Sequence, residues 1–253
     1  MNVKRLLLTA ILFASLVSMS LTFPADVSAQ VPMFTSVELF SGQGIPVAVT
    51  YQGGYVWTAR YDNGVLYKID MKLQQVVSSW AVTGDPEEDK SLGVYGIAFD
   101  GVNFWLTARA RGRLYKFTVA TESFSMVATD GRDGWTNIIY HQSFIYAATE
   151  YALLKVNPAT DAYSYIPLPH GWYYGLVPFG DRVLIVDLLN GKLLEVDPTT
   201  GSYVERVSDL RRPLNMALSG STLYIAENVG QGQMELYGWY PAIVTVDVNA
   251  WSY

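Results

Sequence analysis

The sequence predicts an all-β protein, a small β-propeller of about five four-stranded blades. A segment of two apolar runs joined by a short turn recurs five times, and each copy is followed by one more short strand. The copies are spaced by roughly 38 to 49 residues, which is typical of propeller blades. The chain also contains 18 Tyr, 7 Trp, 10 Phe and 21 Gly in 253 residues, which are strand and turn formers.

Residues 1–29 are predicted to form a signal peptide. Lys4 and Arg5 precede an apolar stretch from Leu6 to Leu21, and Val27-Ser28-Ala29 has the small-x-small pattern of a cleavage site. An uncleaved membrane anchor is the alternative, but the uninterrupted apolar stretch is short for a span. We therefore expect residues 30–253 to form a single secreted domain, extracellular or periplasmic, with no membrane span after cleavage.

Composition excludes several classes of function. The chain has no Cys, so it cannot use thiol catalysis or a disulfide framework, and its two His nearly exclude a multi-His zinc site. The net charge of −6 and the lack of a basic cluster argue against nucleic acid and anionic membranes as partners. We expect a monomer.

The five copies define the blades in chain order. Their inner hairpins begin at Ile45, Val94, Trp135, Tyr173 and Pro213, and the third strands are VLYKID, RLYKFT, ALLKVN, KLLEVD and AIVTVD. Asp62-Asn63-Gly64 and Asn190-Gly191 suit the turns between second and third strands, because these residues tolerate positive φ. The segments starting with Asn157-Pro158 and Asp197-Pro198 suit the turns to the fourth strands.

The last copy ends without a fourth strand, whereas a spare strand, Phe34 to Phe40, precedes the first copy. We expect this N-terminal strand to complete the last blade, since that closure removes an exposed sheet edge. An open or partnered assembly is the alternative. A six-bladed ring with one irregular unit also remains open.

One mouth of the central channel is the predicted ligand site. The loops entering the first strands and leaving the second strands lie on the same face, and two long connections, 82–92 and 228–241, belong to them. A charged residue closes the second strand in every copy: Arg60, Arg109, Glu150, Asp187 and Glu227.

Aromatic side chains gather in the same loops and suit a small, carbohydrate-like or peptide ligand, because they combine a flat apolar surface with a polar tip. The alternative is that the Trp and Tyr rings pack between blades as core. The predicted ligand contacts are Arg60, Tyr95, Arg109, Trp135, Trp172 and Tyr174.

Two stretches resemble known propeller families. LPHGWYYGLVPFGDRVLIVD followed by KLLEVDPTTGSYVERV resembles the repeats of the streptogramin lyase (virginiamycin B lyase) type and of NHL and YVTN propellers. RRPLNMALSGSTLYIAEN resembles a strand of the SMP-30/gluconolactonase group. The lyase resemblance implies that His170 acts as base or acid, while Glu150 or Glu227 helps to hold a divalent ion. The chain departs from the lyase pattern because no second His occupies an equivalent loop.

A metal site for Mg²⁺ or Ca²⁺ is therefore a candidate, since both ions prefer oxygen ligands. Its possible ligands are Asn137, Glu150, Asp187, Asn215 and Glu227. The ends of second strands lie about 4.8 Å farther from the axis than the channel strands, so several of them need not reach one ion.

Two functions follow from the sequence. The first is a secreted binding propeller, and the alternative is a metal-dependent lyase or lactonase in which His170 carries the proton. Catalysis requires His170 to face the mouth within reach of a carboxylate, whereas binding requires only an aromatic-lined concavity. A structural surface protein without a small ligand is a third possibility.

Overall fold

The computed structural model describes residues 46–132, 134–228 and 241–251. Blade one comprises β1 (Pro46–Gln52), β2 (Tyr55–Arg60), β3 (Val65–Asp70) and β4 (Gln75–Ala81). Blade two comprises β5 (Val94–Phe99), β6 (Phe104–Ala108), β7 (Arg113–Thr118) and β8 (Ser123–Thr129). Blade three comprises β9 (Ile138–His141), β10 (Phe144–Ala148), β11 (Ala152–Val156) and β12 (Tyr163–Pro167).

Blade four comprises β13 (Tyr173–Phe179), β14 (Arg182–Asp187), β15 (Lys192–Val196) and β16 (Tyr203–Val207). The described part of blade five comprises β17 (Pro213–Ser219), β18 (Thr222–Asn228) and β19 (Pro241–Asp247), after which Val248–Ala250 form one 3₁₀ turn. In every blade, strands that are consecutive in sequence pair antiparallel. The inner strands β1, β5, β9, β13 and β17 pack side by side in that order.

The fold is a five-bladed β-propeller, as the sequence predicts. All five predicted third strands are present, and the turns have the predicted chemistry: Gly64 and Gly191 adopt positive φ. Three predictions lie outside the described residues: the signal peptide at residues 1–29, the closing strand from Phe34 to Phe40, and the body of the long connection 228–241.

Hydrophobic clusters fill the spaces between blades one and two, two and three, three and four, and four and five. Aromatic rings supply much of this packing: Trp57 stacks on Trp80 at 5.6 Å and lies 4.2 Å from Phe104 across the first interface. Most Trp and Phe rings of the strands are therefore wedges between blades, which is the structural alternative that the sequence left open.

Lysines of the third strands tie successive blades together. The Lys116 ammonium donates to a carboxylate oxygen of Asp161 at 2.7 Å, in the turn of the next blade. Lys116 also donates to the Pro158 carbonyl at 3.3 Å, and Lys155 makes the equivalent contact one blade further with the carbonyl of Pro198, also at 3.3 Å. Both lysines also cover an aromatic ring of their own blade, which keeps their stems packed.

The connection 82–92 contains a short helix, α1 (Pro86–Leu92), where the sequence analysis expects a loop. The Asp85 carboxylate caps its N-terminus, acidic residues occupy its first turn, and Gly93 ends it with φ of +60°. These signals are all present in GDPEEDKSLG, so the helix was readable from the sequence. Within the described ranges no helix is long and apolar enough to cross a bilayer.

Candidate functional site

Strand pairing places the predicted site residues on one face of the propeller. In four blades the first residue of the inner strand pairs with a residue at or next to the end of the second strand: Pro46 with Arg60, Val94 with Ala108, Tyr173 with Asp187 and Pro213 with Glu227. The register shifts just after these pairs, so that β1, β5, β13 and β17 each contain one extra residue that has no partner on the second strand. Such bulges re-aim side chains, and Tyr95 and Tyr174 occupy two of them.

Buried threonines hold the starts of neighbouring inner strands together. The Thr107 hydroxyl donates to the carbonyl of Thr136 in the next blade, at 2.5 Å. The Thr136 hydroxyl in turn donates to the carbonyl of Tyr173, also at 2.5 Å. Blades two, three and four are thereby fixed to one another at the mouth of the channel.

A shallow depression, open to solvent and with an accessible volume of about 10 Å³, lies where these three blades meet. It is lined by Arg109, Gly134, Thr136, Glu150, Trp172, Tyr173 and Tyr174. Four of the seven are side chains that the sequence analysis selected. The structure therefore brings Arg109, Glu150, Trp172 and Tyr174 together.

Tyrosine rings surround Arg109. Its guanidinium lies 5.7 Å from the centre of the Tyr95 ring, and Nη1 donates to the Tyr95 hydroxyl at 3.4 Å. Tyr95 in turn meets Tyr61 and Tyr174 edge to face, at centroid distances of 5.3 and 6.4 Å. Burial lowers the pKa of Arg109, but the phenols of Tyr174, Tyr95 and Tyr61 outweigh it and the net pKa is raised.

Tyr174 is the half-buried centre of this group. Desolvation raises the pKa of its phenol, Tyr95 and Glu150 act in the same direction, and Arg109 and Arg212 oppose them. Both signs of charge therefore act on one hydroxyl at the channel mouth.

Trp172 provides the exposed aromatic surface of the depression, with 41% of the residue accessible. Its backbone is fixed at both ends, because its N–H donates to Asp187 at 3.1 Å and its carbonyl accepts from the Leu188 N–H at 2.8 Å. The ring is thus presented on a rigid support, which suits a ligand contact.

Two predicted ligand contacts have other roles. Arg60 forms a two-point ion pair with Asp62, at 2.6 and 3.1 Å, which raises the pKa of Arg60 and lowers that of Asp62. Trp135 is completely buried, and its indole N–H donates to Asp130 at 2.9 Å. Trp135 is a packing residue and offers no surface to a ligand. The backbone at Gly112 lies so close to its ring that a Cβ there would be 2.5 Å from the indole nitrogen.

Asp187 and Glu227 hold loops in place. The buried Asp187 carboxylate accepts from the N–H groups of Trp172, Leu189 and Asn190, while Glu227 accepts from the N–H of Arg211 at 2.7 Å. Gly171 is required here, since a Cβ would lie 2.4 Å from an Asp187 oxygen. The glycine of the PHG sequence therefore has a structural explanation.

Four of the five candidate metal ligands already have hydrogen-bond partners within the protein. Asn137 and Asn215 contact each other at 3.3 Å, and each side-chain oxygen also accepts from the following backbone N–H. Asp187 and Glu227 are engaged by backbone amides as described above. Across the described ranges, no three His, Asp or Glu side chains are grouped to hold an ion.

The two histidines differ in environment. His170 is exposed, outside the residues that line the depression, and its ring packs against Tyr151 at a centroid distance of 5.0 Å. No carboxylate of the described residues bonds to its side chain. His141 is half-buried at the end of β9, and its Nε2 has no hydrogen-bond partner in the described part of the chain.

Sequence reasoning missed three parts of the site: Tyr61, Gly134 and Thr136. Tyr61 lies in a turn, Gly134 allows close approach of Glu150, and Thr136 links two blades. The Thr could have been found from its position, because it aligns with Tyr95 and Tyr174 in the repeat. The contacts of the other two depend on the packing of separate blades.

Comparisons with known proteins support the fold alone. No family model matches the sequence, and no curated protein matches it either. Virginiamycin B lyase from Staphylococcus aureus is similar in structure, with a TM-score of 0.64, 13% identity, and 81% of this chain and 70% of that chain covered. U3-55K is similar with a TM-score of 0.68 and 11% identity over 83% of this chain and 63% of that chain.

A structure of the nidogen/laminin complex is similar over 81% of this chain and 77% of that chain, with a TM-score of 0.63 and 12% identity. The extracellular domain of a putative one-component system, BT4673 of B. thetaiotaomicron, has a TM-score of 0.54 and 18% identity, and this chain spans 25% of its length. The resemblance to the streptogramin lyase type is confirmed at the level of fold. The chain therefore has the fold of a five-bladed β-propeller.

Proposed function

We propose that this protein is a secreted binding propeller that holds a small carbohydrate-like or peptide ligand at the mouth of its channel. The observation that carries the proposal is the convergence of an exposed indole and a half-buried phenol from blade four with a guanidinium from blade two on one depression. Concave sites with aromatic walls and a few polar groups are typical ligand sites.

Rigidity supports the proposal. The Thr107 and Thr136 hydrogen bonds lock the three blades, and Asp187 fixes the backbone of Trp172. A site that is held in place before binding loses little conformational entropy when the ligand arrives. The exposed Tyr151, beside His170 on the rim, extends the aromatic surface outward.

The metal-dependent lyase or lactonase finds less support. The chain resembles these enzymes in fold, and a shared fold does not establish a shared activity. The ring of the candidate proton carrier, His170, packs at an angle against Tyr151 and bonds to no carboxylate of the described residues. Two of the candidate acidic residues already accept backbone hydrogen bonds. We therefore expect chelation of divalent ions to leave ligand affinity unchanged, as measured by calorimetry before and after EDTA treatment.

The proposal is tested by screening the purified protein against glycan and short-peptide arrays and measuring the affinity of each hit by calorimetry. Trp172→Ala and Arg109→Ala are each expected to weaken binding about tenfold or more, since buried aromatic and Arg contacts dominate binding energy. Tyr203→Ala, an exposed ring on β16, and Lys72→Ala, in the turn after β3, are the controls.

Binding that falls in the two mouth variants and persists in both controls supports the proposal. Binding that is equally strong in Trp172→Ala and Arg109→Ala would place the ligand elsewhere on the protein. If no carbohydrate or peptide binds, the proposed function is wrong.

A further inference from the structure

The charges at the mouth differ in how they are used. Arg60 is paired with Asp62, and the carboxylates of Asp187 and Glu227 accept backbone N–H groups. Of the five charged residues at the ends of the second strands, Arg109 and Glu150 are the two whose charged groups have no such partner among the described residues. Both line the same depression.

Arg109 has a partly buried positive charge without an anionic partner. None of its nitrogens lies within ion-pairing distance of a carboxylate in the described part of the chain, and its one side-chain hydrogen bond there goes to the Tyr95 hydroxyl. A ring face and a long hydrogen bond compensate poorly for lost hydration, so a carboxylate placed here would be strongly favoured.

Glu150 has the complementary property. Its side chain packs over Gly134, where a Cβ would lie 2.9 Å from the Glu150 Cγ, so the absence of a side chain at Gly134 lets it approach. The Glu150 carboxylate forms no hydrogen bond or ion pair within the described residues, and Arg109 does not reach it. Two opposite charges thus line one depression without forming an ion pair with each other.

We infer that the ligand of this site carries both a carboxylate and an ammonium group, and is a free amino acid or a short peptide with unblocked ends. The inference rests on the proposed function, because it concerns the same depression. Arg109 binds the carboxylate, Glu150 binds the ammonium group, and Trp172 with Tyr174 contacts the apolar side chain.

Other ligand classes fit less well. A neutral sugar that covers the depression displaces water from both charges and supplies neither with a counter-charge, which is costly. A ligand with a carboxylate alone pairs with Arg109 but brings a second negative charge close to Glu150. A ligand with both charges satisfies both side chains at once and gives specificity through complementary electrostatics.

The test uses the purified protein and a panel made of the free amino acids and of dipeptides with apolar, aromatic and polar side chains. The tightest binder is then compared with its N-acetylated and its C-amidated forms by calorimetry. Each blocked form is expected to bind about tenfold or more weakly, the loss of one charge-assisted hydrogen bond.

Variants assign each charge to its partner. In Arg109→Gln the free acid and the C-amide should bind equally weakly, whereas the effect of N-acetylation should persist. In Glu150→Gln the free amine and the N-acetylated form should bind equally weakly, whereas the effect of C-amidation should persist. Lys72→Ala, far from the mouth, should keep the full dependence on both ends.

If a peptide binds in a Trp172-dependent manner but acetylation and amidation leave its affinity unchanged, the inference is wrong while the proposed function stands. The same conclusion follows if only neutral sugars bind with dependence on Trp172. If no probe of either class binds, both the proposed function and this inference are wrong.

Discussion

Single residues at the mouth show how one repeat position serves different purposes. Tyr95 and Tyr174 occupy bulged positions of their inner strands and face the site, whereas Thr136, at the aligned position in blade three, links two blades. Trp135 and Trp172 are both in loops that lead to an inner strand, yet one is fully buried and the other is 41% exposed. Local sequence alone does not separate them, because the difference depends on which neighbouring blade covers the ring.

His141 is expected to make stability depend on pH. Burial lowers its pKa below the usual value, while the Gly180 carbonyl and the Asp181 charge act in the opposite direction. In the unfolded chain His141 binds a proton near pH ~6.5, but in the folded protein only at lower pH, so the unfolded state binds more protons in that window. The free energy of unfolding should therefore fall as the pH drops below about 6.5 and be fully regained above it.

His141→Phe should reduce this slope, as measured by urea denaturation at a series of pH values. His170→Phe is the matched control, since it removes the other histidine, whose ring is exposed. Equal slopes in His141→Phe and the unmodified protein would contradict the prediction.

At the scale of elements, short helices and turns are held by side-chain caps. In α1 the Asp85 carboxylate accepts from the N–H of Glu87 at 2.9 Å and of Glu88 at 3.4 Å. The helix is also fixed to blade two by an ion pair between Glu88 and Arg113. Its position beside the mouth therefore depends on its N-terminus.

Asp85→Ala should lower the free energy of unfolding by about 1 kcal/mol, the usual cost of losing an N-cap. Urea denaturation measures the loss. Glu87→Gln is the control, because it removes one negative charge from the same turn and leaves the cap intact. A loss in Glu87→Gln as large as that in Asp85→Ala would show that charge, rather than capping, stabilises the helix.

At the scale of the whole molecule, the interface between blades five and one differs from the other four. On the side of β1 away from the core, Val47, Val49 and Tyr51 are exposed, and Tyr224 and Ile243 are exposed on blade five. Side chains alternate across strands, so these residues lie opposite the faces that pack in the first and last hydrophobic clusters. β19 also has a free edge among the described strands.

The sequence predicts that Phe34 to Phe40 covers this edge, and removal of residues 30–42 tests the prediction. A protein lacking residues 1–42 should unfold at lower urea concentration and self-associate through β19, because unpaired strand edges pair with one another. Denaturation and light scattering measure both effects, and removal of residues 1–29 alone is the control. Unchanged stability and mass in the longer deletion would contradict closure by the N-terminal strand.

The sequence by itself predicted the signal peptide and hence the compartment. It also determined the five repeats and most strand boundaries, because alternating apolar residues and turns of Asn, Asp, Gly and Pro act locally. The sequence also predicted a candidate site at the channel mouth, because chain order decides which loops share a face. The tertiary structure decided which predicted residues meet there. Burial of Trp135, pairing of Arg60, and backbone capping by Asp187 and Glu227 depend on distances between separate parts of the chain, and only the packed blades set those distances.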